Sequence, residues 1–170
     1  YVNKKAFKTL RDDWGVNAIR LAMYTEEYNG YCSGGSQAKL RKLVDKGVGY
    51  ATDLGMYAII DWHILSDGNP NKNKAQAKKF FTTMAKKYKN NKNVIYEICN
   101  EPNGCGWKEI KSYATDIIKT IRKYDKKAVI IVGTPTWSQL GTDGTSNEVA
   151  DSPIKGYKNI MYSLHFYASE

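Results

Sequence analysis

Short apolar runs and longer amphipathic stretches alternate along this chain from end to end, one pair to about every 32 to 40 residues. The apolar runs cover residues 17–24, 57–63, 94–100, 129–134 and 160–167. The stretches between them carry apolar residues three and four apart, the period of a helix with one buried face. Leu40, Leu43, Val44, Val48, Ala51 and Leu54 show it, as do Ala77, Phe80, Phe81, Met84 and Ala85, and Ile110, Ala114, Ile117, Ile118 and Ile121. Phe7, Leu10 and Trp14 recur at the same spacing ahead of the first run. Asn3 stands where a cap belongs, and Gly15 where that helix should stop. A helix between two strands returns the chain to the same end of the sheet, so the strands run parallel. The start of the second run is almost continuously apolar, as in a strand covered on both faces.

Two parallel architectures fit this order. A doubly wound nucleotide-binding sheet carries a glycine-rich phosphate loop after its first strand. Here that place holds Tyr24-Thr25-Glu26-Glu27. Instead, each run deposits polar or aromatic groups at its C-terminal tip, where the active sites of (β/α)8 barrels are built. The expected fold is therefore α/β: a partial (β/α)8 TIM barrel with parallel strands and outer helices, residues 1–170 forming one domain. A complete barrel takes roughly 250 residues and eight strands. With five runs and a helix ahead of the first, the chain reads as strands two to six. It opens at Tyr1 without a start methionine. We read that as processing or truncation, so the lack of a signal peptide says nothing of location.

Composition narrows the function classes. The formal net charge of +9 would suit nucleic acid. The lysines, however, are spread over residues 39–46, 72–92 and 108–127, with no RNA-binding signature and no arginine cluster. They read as solvated helix faces, and no nucleic-acid partner is expected. No stretch reaches transmembrane length, and no membrane partner is expected. Cys32, Cys99 and Cys105 leave at least one thiol free and form no Cys-x-x-Cys pair. Cys99 lies in an apolar run and reads as a small buried hydrophobe. No metal and no cofactor is expected. The 13 tyrosines and 4 tryptophans are many for this length, and flat rings suit sugar faces as well as cores.

The tip of the third run is the sharpest chemical signal. Asn100-Glu101-Pro102-Asn103 puts a carboxyl group where strand propensity is poor and burial costly, after an amide and before a proline that ends the strand. A glutamate so placed serves proton transfer or ligand binding. Arg20, inside the first run, needs acceptors. Either it forms a core salt bridge to Glu97 or Asp61, or it keeps an active-site carboxylate ionised. Tyr24 lies past the same tip and offers a hydroxyl or a stacking face, unless it is only a rim residue. The chain's 2 histidines, His63 and His165, both lie at run ends, which argues for a shared site over two separate core residues. A zinc site would want a third ligand, and none stands at fitting spacing. Neutral imidazoles bonding sugar hydroxyls or carboxylates fit better. Trp137 follows the turn Thr134-Pro135-Thr136 and either stacks on a pyranose face or caps the core. His165 and Tyr167, two apart, share one side of a strand that runs through both. The stretch 138–152 is polar and reads as a loop.

Taken in order, these segments resemble the (β/α)8-barrel glycosidases, specifically glycoside hydrolase family 5 in its bacterial endoglucanase branch, the cellulase A type. The matching runs are Asn17-Ala18-Ile19-Arg20-Leu21-Ala22-Met23-Tyr24, Ile59-Ile60-Asp61-Trp62-His63-Ile64-Leu65, Ile95-Tyr96-Glu97-Ile98-Cys99-Asn100-Glu101-Pro102-Asn103, Gly133-Thr134-Pro135-Thr136-Trp137 and Leu164-His165-Phe166-Tyr167. The resemblance implies a secreted endo-β-1,4-glucanase that cuts internal bonds of cellulose or a related glucan with retention of configuration. It implies Glu101 as general acid/base and Asn100 as the group holding the sugar 2-hydroxyl. Arg20 and Tyr167 would steady the nucleophile, and His63 and His165 would line the cleavage subsite. Tyr24 and Trp137 would shape sugar platforms. The family's nucleophile is a glutamate at the tip of the seventh strand, so the resemblance puts it beyond this chain. Glu170, three residues after Tyr167, belongs to the next loop. The rival readings are a non-catalytic carbohydrate-binding fragment and a mannanase or xyloglucanase of the same clan.

Overall fold

The computed structural model describes residues 2–139 and 147–168. Residues 140–146, part of the stretch read as a polar loop, and Glu170 lie outside the described residues. Five strands form one parallel sheet in chain order: β1 (Ala18–Tyr24), β2 (Tyr57–His63), β3 (Val94–Glu97), β4 (Ile130–Val132) and β5 (Ile160–Tyr162). Helix α1 (Lys4–Asp12) precedes them, and α2 (Gln37–Asp53), α3 (Lys74–Tyr88) and α4 (Trp107–Arg122) connect the first four. The polar stretch before β5 is not all loop, because Glu148–Asp151 forms one helical turn. An unbroken strand order has no switch point of the kind at which doubly wound sheets bind ligands; it is the winding of a barrel wall.

The helices form where cap and period agree. Asn3 Oδ1 accepts the Ala6 N–H at 2.8 Å, and the Ser36 hydroxyl accepts that of Lys39 at 3.4 Å. The α3 stripe of Phe80 and Phe81 packs with Trp62 of β2 and with Tyr31, ring centroids 5.2 to 6.3 Å apart. Gly47 lets α2 close on β1: a Cβ there would stand 2.6 Å from Leu21 Cδ2. Two residues of helical spacing face solvent after all. Trp14 is 76% exposed, because α1 ends at Asp12 and Gly15 turns the chain in the left-handed region at φ +67. Leu43 is half exposed, off the buried stripe of Val44, Gly47, Val48 and Ala51.

Helices cover one face of the sheet. Leu21, Ile60, Trp62, Tyr96 and Val132 point to them and are buried. The alternate residues Ala22, Ile59, Ile95 and Ile131 are half-buried or exposed, so β2 is not covered on both faces along its length. The strands also stop before the runs that predict them, β3 at Glu97, β4 at Val132 and β5 at Tyr162. At the β3 and β4 tips the backbones approach so closely that only glycine fits: a Cβ on Gly133 would lie 2.4 Å from the Cys99 carbonyl oxygen.

Candidate active site

The side chains singled out above converge at the C-terminal end of the sheet. Register sets Ala22, Asp61 and Glu97 side by side across β1 to β3, and Tyr24 beside His63. Strand alternation turns Arg20, Asp61 and Glu97 to the face without helices. Arg20 spans the two carboxylates. Its Nε and Nη2 donate to Glu97 at 2.6 and 2.7 Å, and Nη2 lies 3.1 Å from Asp61 Oδ2. Both partners foreseen in the sequence are engaged at once. The arginine is not buried as its apolar run suggests: 34% of its side chain is exposed, because β1 is an edge of the described sheet. Burial works against its charge, but the bond to Glu97 and the charges of Asp61, Glu97 and Glu101 outweigh it and raise its pKa. Asp61 is fully buried. That burial, helped by the charge of Glu97, pushes its pKa up to about 6 against the pull of His63 and Arg20.

Asn100 links this trio to the histidine. Its Oδ1 accepts from Arg20 Nη2 at 2.6 Å, and its Nδ2 donates to the Ile64 carbonyl at 3.0 Å and lies 3.3 Å from His63 Nε2. His63 Nδ1 is 2.6 Å from Asp61 Oδ2. The Tyr24 ring leans on His63 at 4.4 Å, and Tyr28 meets Tyr24 edge-on at 5.1 Å. Glu101 reaches toward the segment after β5 instead. Its Oε1 is 2.9 Å from His165 Nδ1 and accepts from the Tyr167 hydroxyl at 3.4 Å. The two histidines thus contact adjacent residues, His63 on Asn100 and His165 on Glu101. His165 and Tyr167 do not share a strand face, since β5 ends at Tyr162. Beyond it, one last ladder bond runs from Ser163 N–H to the Val132 carbonyl, and His165 N–H then turns to the Ser138 carbonyl. Both side chains reach the same Glu101 oxygen all the same.

The tip of β4 holds these pieces in register. Thr136, Trp137 and Ser138 lie in the left-handed region at φ 56, 54 and 62, a strained run for residues other than glycine. Cross-bonds hold it. Trp137 N–H donates to the Pro102 carbonyl at 3.0 Å, and the Ser138 hydroxyl donates to that of Asn100 at 2.8 Å. The Thr134 hydroxyl donates to the Ser163 carbonyl at 3.0 Å. Trp137 is left half exposed on the rim. Sequence reasoning missed Ser138 and Thr134 as ties, and nothing in Thr-Trp-Ser signals left-handed backbone. Below the rim, the Thr25 hydroxyl donates to Asp67 at 2.5 Å, and Asn73 Nδ2 donates to both Asp67 and Glu26. These bonds join the loops after β1 and β2.

Among the described residues, no group of three or more His, Cys, Asp or Glu is placed to hold a metal ion, and no helix is long and apolar enough to cross a membrane. The three cysteines are free thiols, and burial drives the pKa of Cys99 well up. The cluster offers a carboxyl group flanked by an imidazole and a phenol, next to an amide fixed by a guanidinium. That set can exchange a proton and grip hydroxyl groups at neighbouring positions.

The family whose model matches residues 1–170 is Cellulase (glycosyl hydrolase family 5). Endoglucanase A of Butyrivibrio fibrisolvens is 53% identical over 171 residues, covering 99% of this chain and 38% of the relative. An endoglucanase of Clostridium saccharobutylicum is 55% identical over 172 residues, covering 99% and 36%. The catalytic domain of Thermobifida fusca endoglucanase Cel5A matches with a TM-score of 0.88 at 42% identity, over 99% of this chain and 54% of that one. A variant of that domain, solved in complex with cellotetraose, matches with a TM-score of 0.89. The chain spans over a third of the length of these curated relatives and about half of the solved domain.

Proposed function

The chain belongs to glycosyl hydrolase family 5, the cellulase family, and from that premise we propose that it is part of the catalytic domain of a secreted endo-β-1,4-glucanase. The substrate is cellulose or a closely related β-1,4-glucan, cut at internal bonds with retention of configuration. Residues 1–170 act within one domain. The endoglucanase names of the relatives favour a glucan over a mannan or xyloglucan.

One observation carries the reading: Glu101 stands between His165 and Tyr167, directly after an asparagine fixed by Arg20. In a retaining glycosidase one carboxylic acid protonates the leaving oxygen while a second carboxylate, about 5 to 5.5 Å away, attacks the anomeric carbon. Glu101 is the acid and later the base that activates water. His165 and Tyr167 hold its carboxyl group at a fixed angle. Asn100 grips the 2-hydroxyl, and His63 bonds a second hydroxyl of the same sugar. Arg20 Nη1 makes no hydrogen bond among the described residues, which leaves two N–H donors for the nucleophilic carboxylate. With the nucleophile in place, the single Tyr167 O–H turns from Glu101 to that carboxylate as a third donor, and His165 alone then holds Glu101. Tyr24 and Trp137 offer ring faces on either side of the cut bond.

Glu101→Gln in the complete enzyme containing this chain tests the assignment. Hydrolysis of unactivated glucan should fall by at least about a thousandfold. An aryl glycoside with a good leaving group should lose much less in its first step, since it needs little protonation. Equal losses on both substrates would rule Glu101 out as the acid.

A further inference from the structure

The bonds around His63 fix its proton. Arg20 has only donors, so the Asn100 atom 2.6 Å from its Nη2 must be the amide oxygen. The Ile64 carbonyl has only an acceptor, so the Asn100 atom 3.0 Å from it must be the amide nitrogen. Two independent neighbours thus demand the same orientation of the amide. The nitrogen then also faces His63 Nε2 at 3.3 Å as a donor, which leaves Nε2 to accept. An imidazole with a bare Nε2 carries its proton on Nδ1, and Nδ1 meets Asp61 Oδ2 at 2.6 Å. Asp61 is fully buried, and its other oxygen has no hydrogen-bond partner, so its bonding is concentrated on the oxygen shared by His63 and Arg20.

We propose that Asp61 is a positioning residue that locks His63 as the neutral tautomer protonated on Nδ1, so that Nε2 meets the sugar as an acceptor only. The contact from Asn100 to Nε2 is the longest in the circuit, and an arriving sugar exchanges it. The Asn100 amide turns that donor to one hydroxyl, while bare Nε2 accepts from a neighbouring hydroxyl. A pair of adjacent hydroxyls is read as one acceptor and one donor, and a sugar lacking the donating hydroxyl is rejected. This part rests on the glucanase reading; the tautomer does not.

The chain has 2 histidines, His63 and His165, so two-bond proton–nitrogen correlation spectra of the nitrogen-15-labelled protein resolve each ring. At pH 7.5, above the titration range of Asp61, one ring should show a protonated Nδ1 and a bare Nε2. Asn100→Ala should keep that pattern, because the short charge-assisted bond to Asp61 dominates the longer neutral one. Asp61→Ala should move a large share of His63 to the Nε2-protonated form while leaving the His165 signals in place. A proton on Nε2 of His63, the ring whose signals remain in His165→Gln, or its arrival there in Asn100→Ala alone, overturns the proposal. Should Asp61→Ala not fold, those two spectra still decide it. In the complete enzyme, Asp61→Ala should lower kcat/KM on cellodextrins about tenfold or more. If the spectra agree but the complete enzyme cleaves no glucan, the tautomer lock stands and the substrate reading falls.

Discussion

Asp61, one of the two carboxylates on Arg20, sets a pH dependence that belongs to a single residue. The pKa of Asp61 is raised from 3.8 to about 6, chiefly by burial. An acid whose folded pKa lies above its unfolded value takes up a proton on folding, so its contribution to stability is fully present below the unfolded pKa. It is lost as pH rises through the interval from 3.8 to about 6 and stays lost above. Asp61→Asn removes that titration. Across the same interval the chemical-denaturation midpoint of the unaltered protein should therefore fall relative to that of the Asn variant. Parallel curves would show that Asp61 titrates alike in both states. At this scale the sequence is legible where a residue is visibly costly. Glu101 after an apolar run and Arg20 inside one announce themselves, and so do Asp61 and Glu97 as partners of the arginine. The direction of each bond is not legible. That Asn100 shows its oxygen to Arg20 and its nitrogen to His63 depends on neighbours brought in from β1 and β2.

Among elements, the β3 and β4 tips are the tightest junction of the site. A Cβ on Gly133 would sit 2.4 Å from the Cys99 carbonyl oxygen and 2.8 Å from Pro102 Cδ, atoms of backbone and ring that have little room to yield. Gly133→Ala should cost about 1–3 kcal/mol in thermal or denaturant unfolding, as overpacking does. It should also shift Asn100 and Glu101 against Ser138. Gly49 in α2 has nothing within 4 Å of its built Cβ and no left-handed backbone. Gly49→Ala should instead stabilise by about 0.5–1 kcal/mol, the helix-interior preference for alanine. Equal effects of the two changes would mean that chain entropy, not the closeness of the tips, governs both. The four long helices and the existence of all five strands follow from apolar period alone. The strand ends do not. Apolar residues run on through Cys99 and Phe166, but the last ladder bonds are Ile98 N–H to the Ile131 carbonyl and Ser163 N–H to the Val132 carbonyl, and past them His165 N–H goes to the loop carbonyl of Ser138. Periodicity records which residues prefer burial, and it is silent on which carbonyl a tip will find.

Among the described residues the sheet is a single-sided wall, covered by helices on one face. Its strand order could be inferred from the sequence, since each helix returns the chain to the same end and no phosphate loop marks a doubly wound sheet. The open face could not, because an apolar run does not say what covers it. Among the described residues, the outer edges of β1 and β5 have no strand partner. Near the β5 edge, Met161, Leu164, Phe166 and Tyr167 are between 54 and 75% exposed. Free edges beside apolar surface favour self-association. The 170-residue polypeptide purified alone should sediment as concentration-dependent dimers or larger species, and Met161→Lys with Phe166→Ser should move it toward monomer. The same polypeptide should not turn over carboxymethyl-cellulose. The proposed route needs a second carboxylate opposite Glu101, and the two acids buried beside the site, Asp61 and Glu97, are already bound to Arg20. On the mechanism proposed, that second carboxylate comes from a strand other than these five. Glu101 can then protonate a leaving oxygen but has no partner to trap the oxocarbenium-like centre. The assay needs protein from a host without cellulases and a Glu101→Gln control. Turnover that survives purification and disappears in that control would mean that another carboxylate of this chain, Glu26, Glu27 or Glu170, attacks the sugar, and the assignment of Arg20 as the anchor of an incoming carboxylate would fall with it.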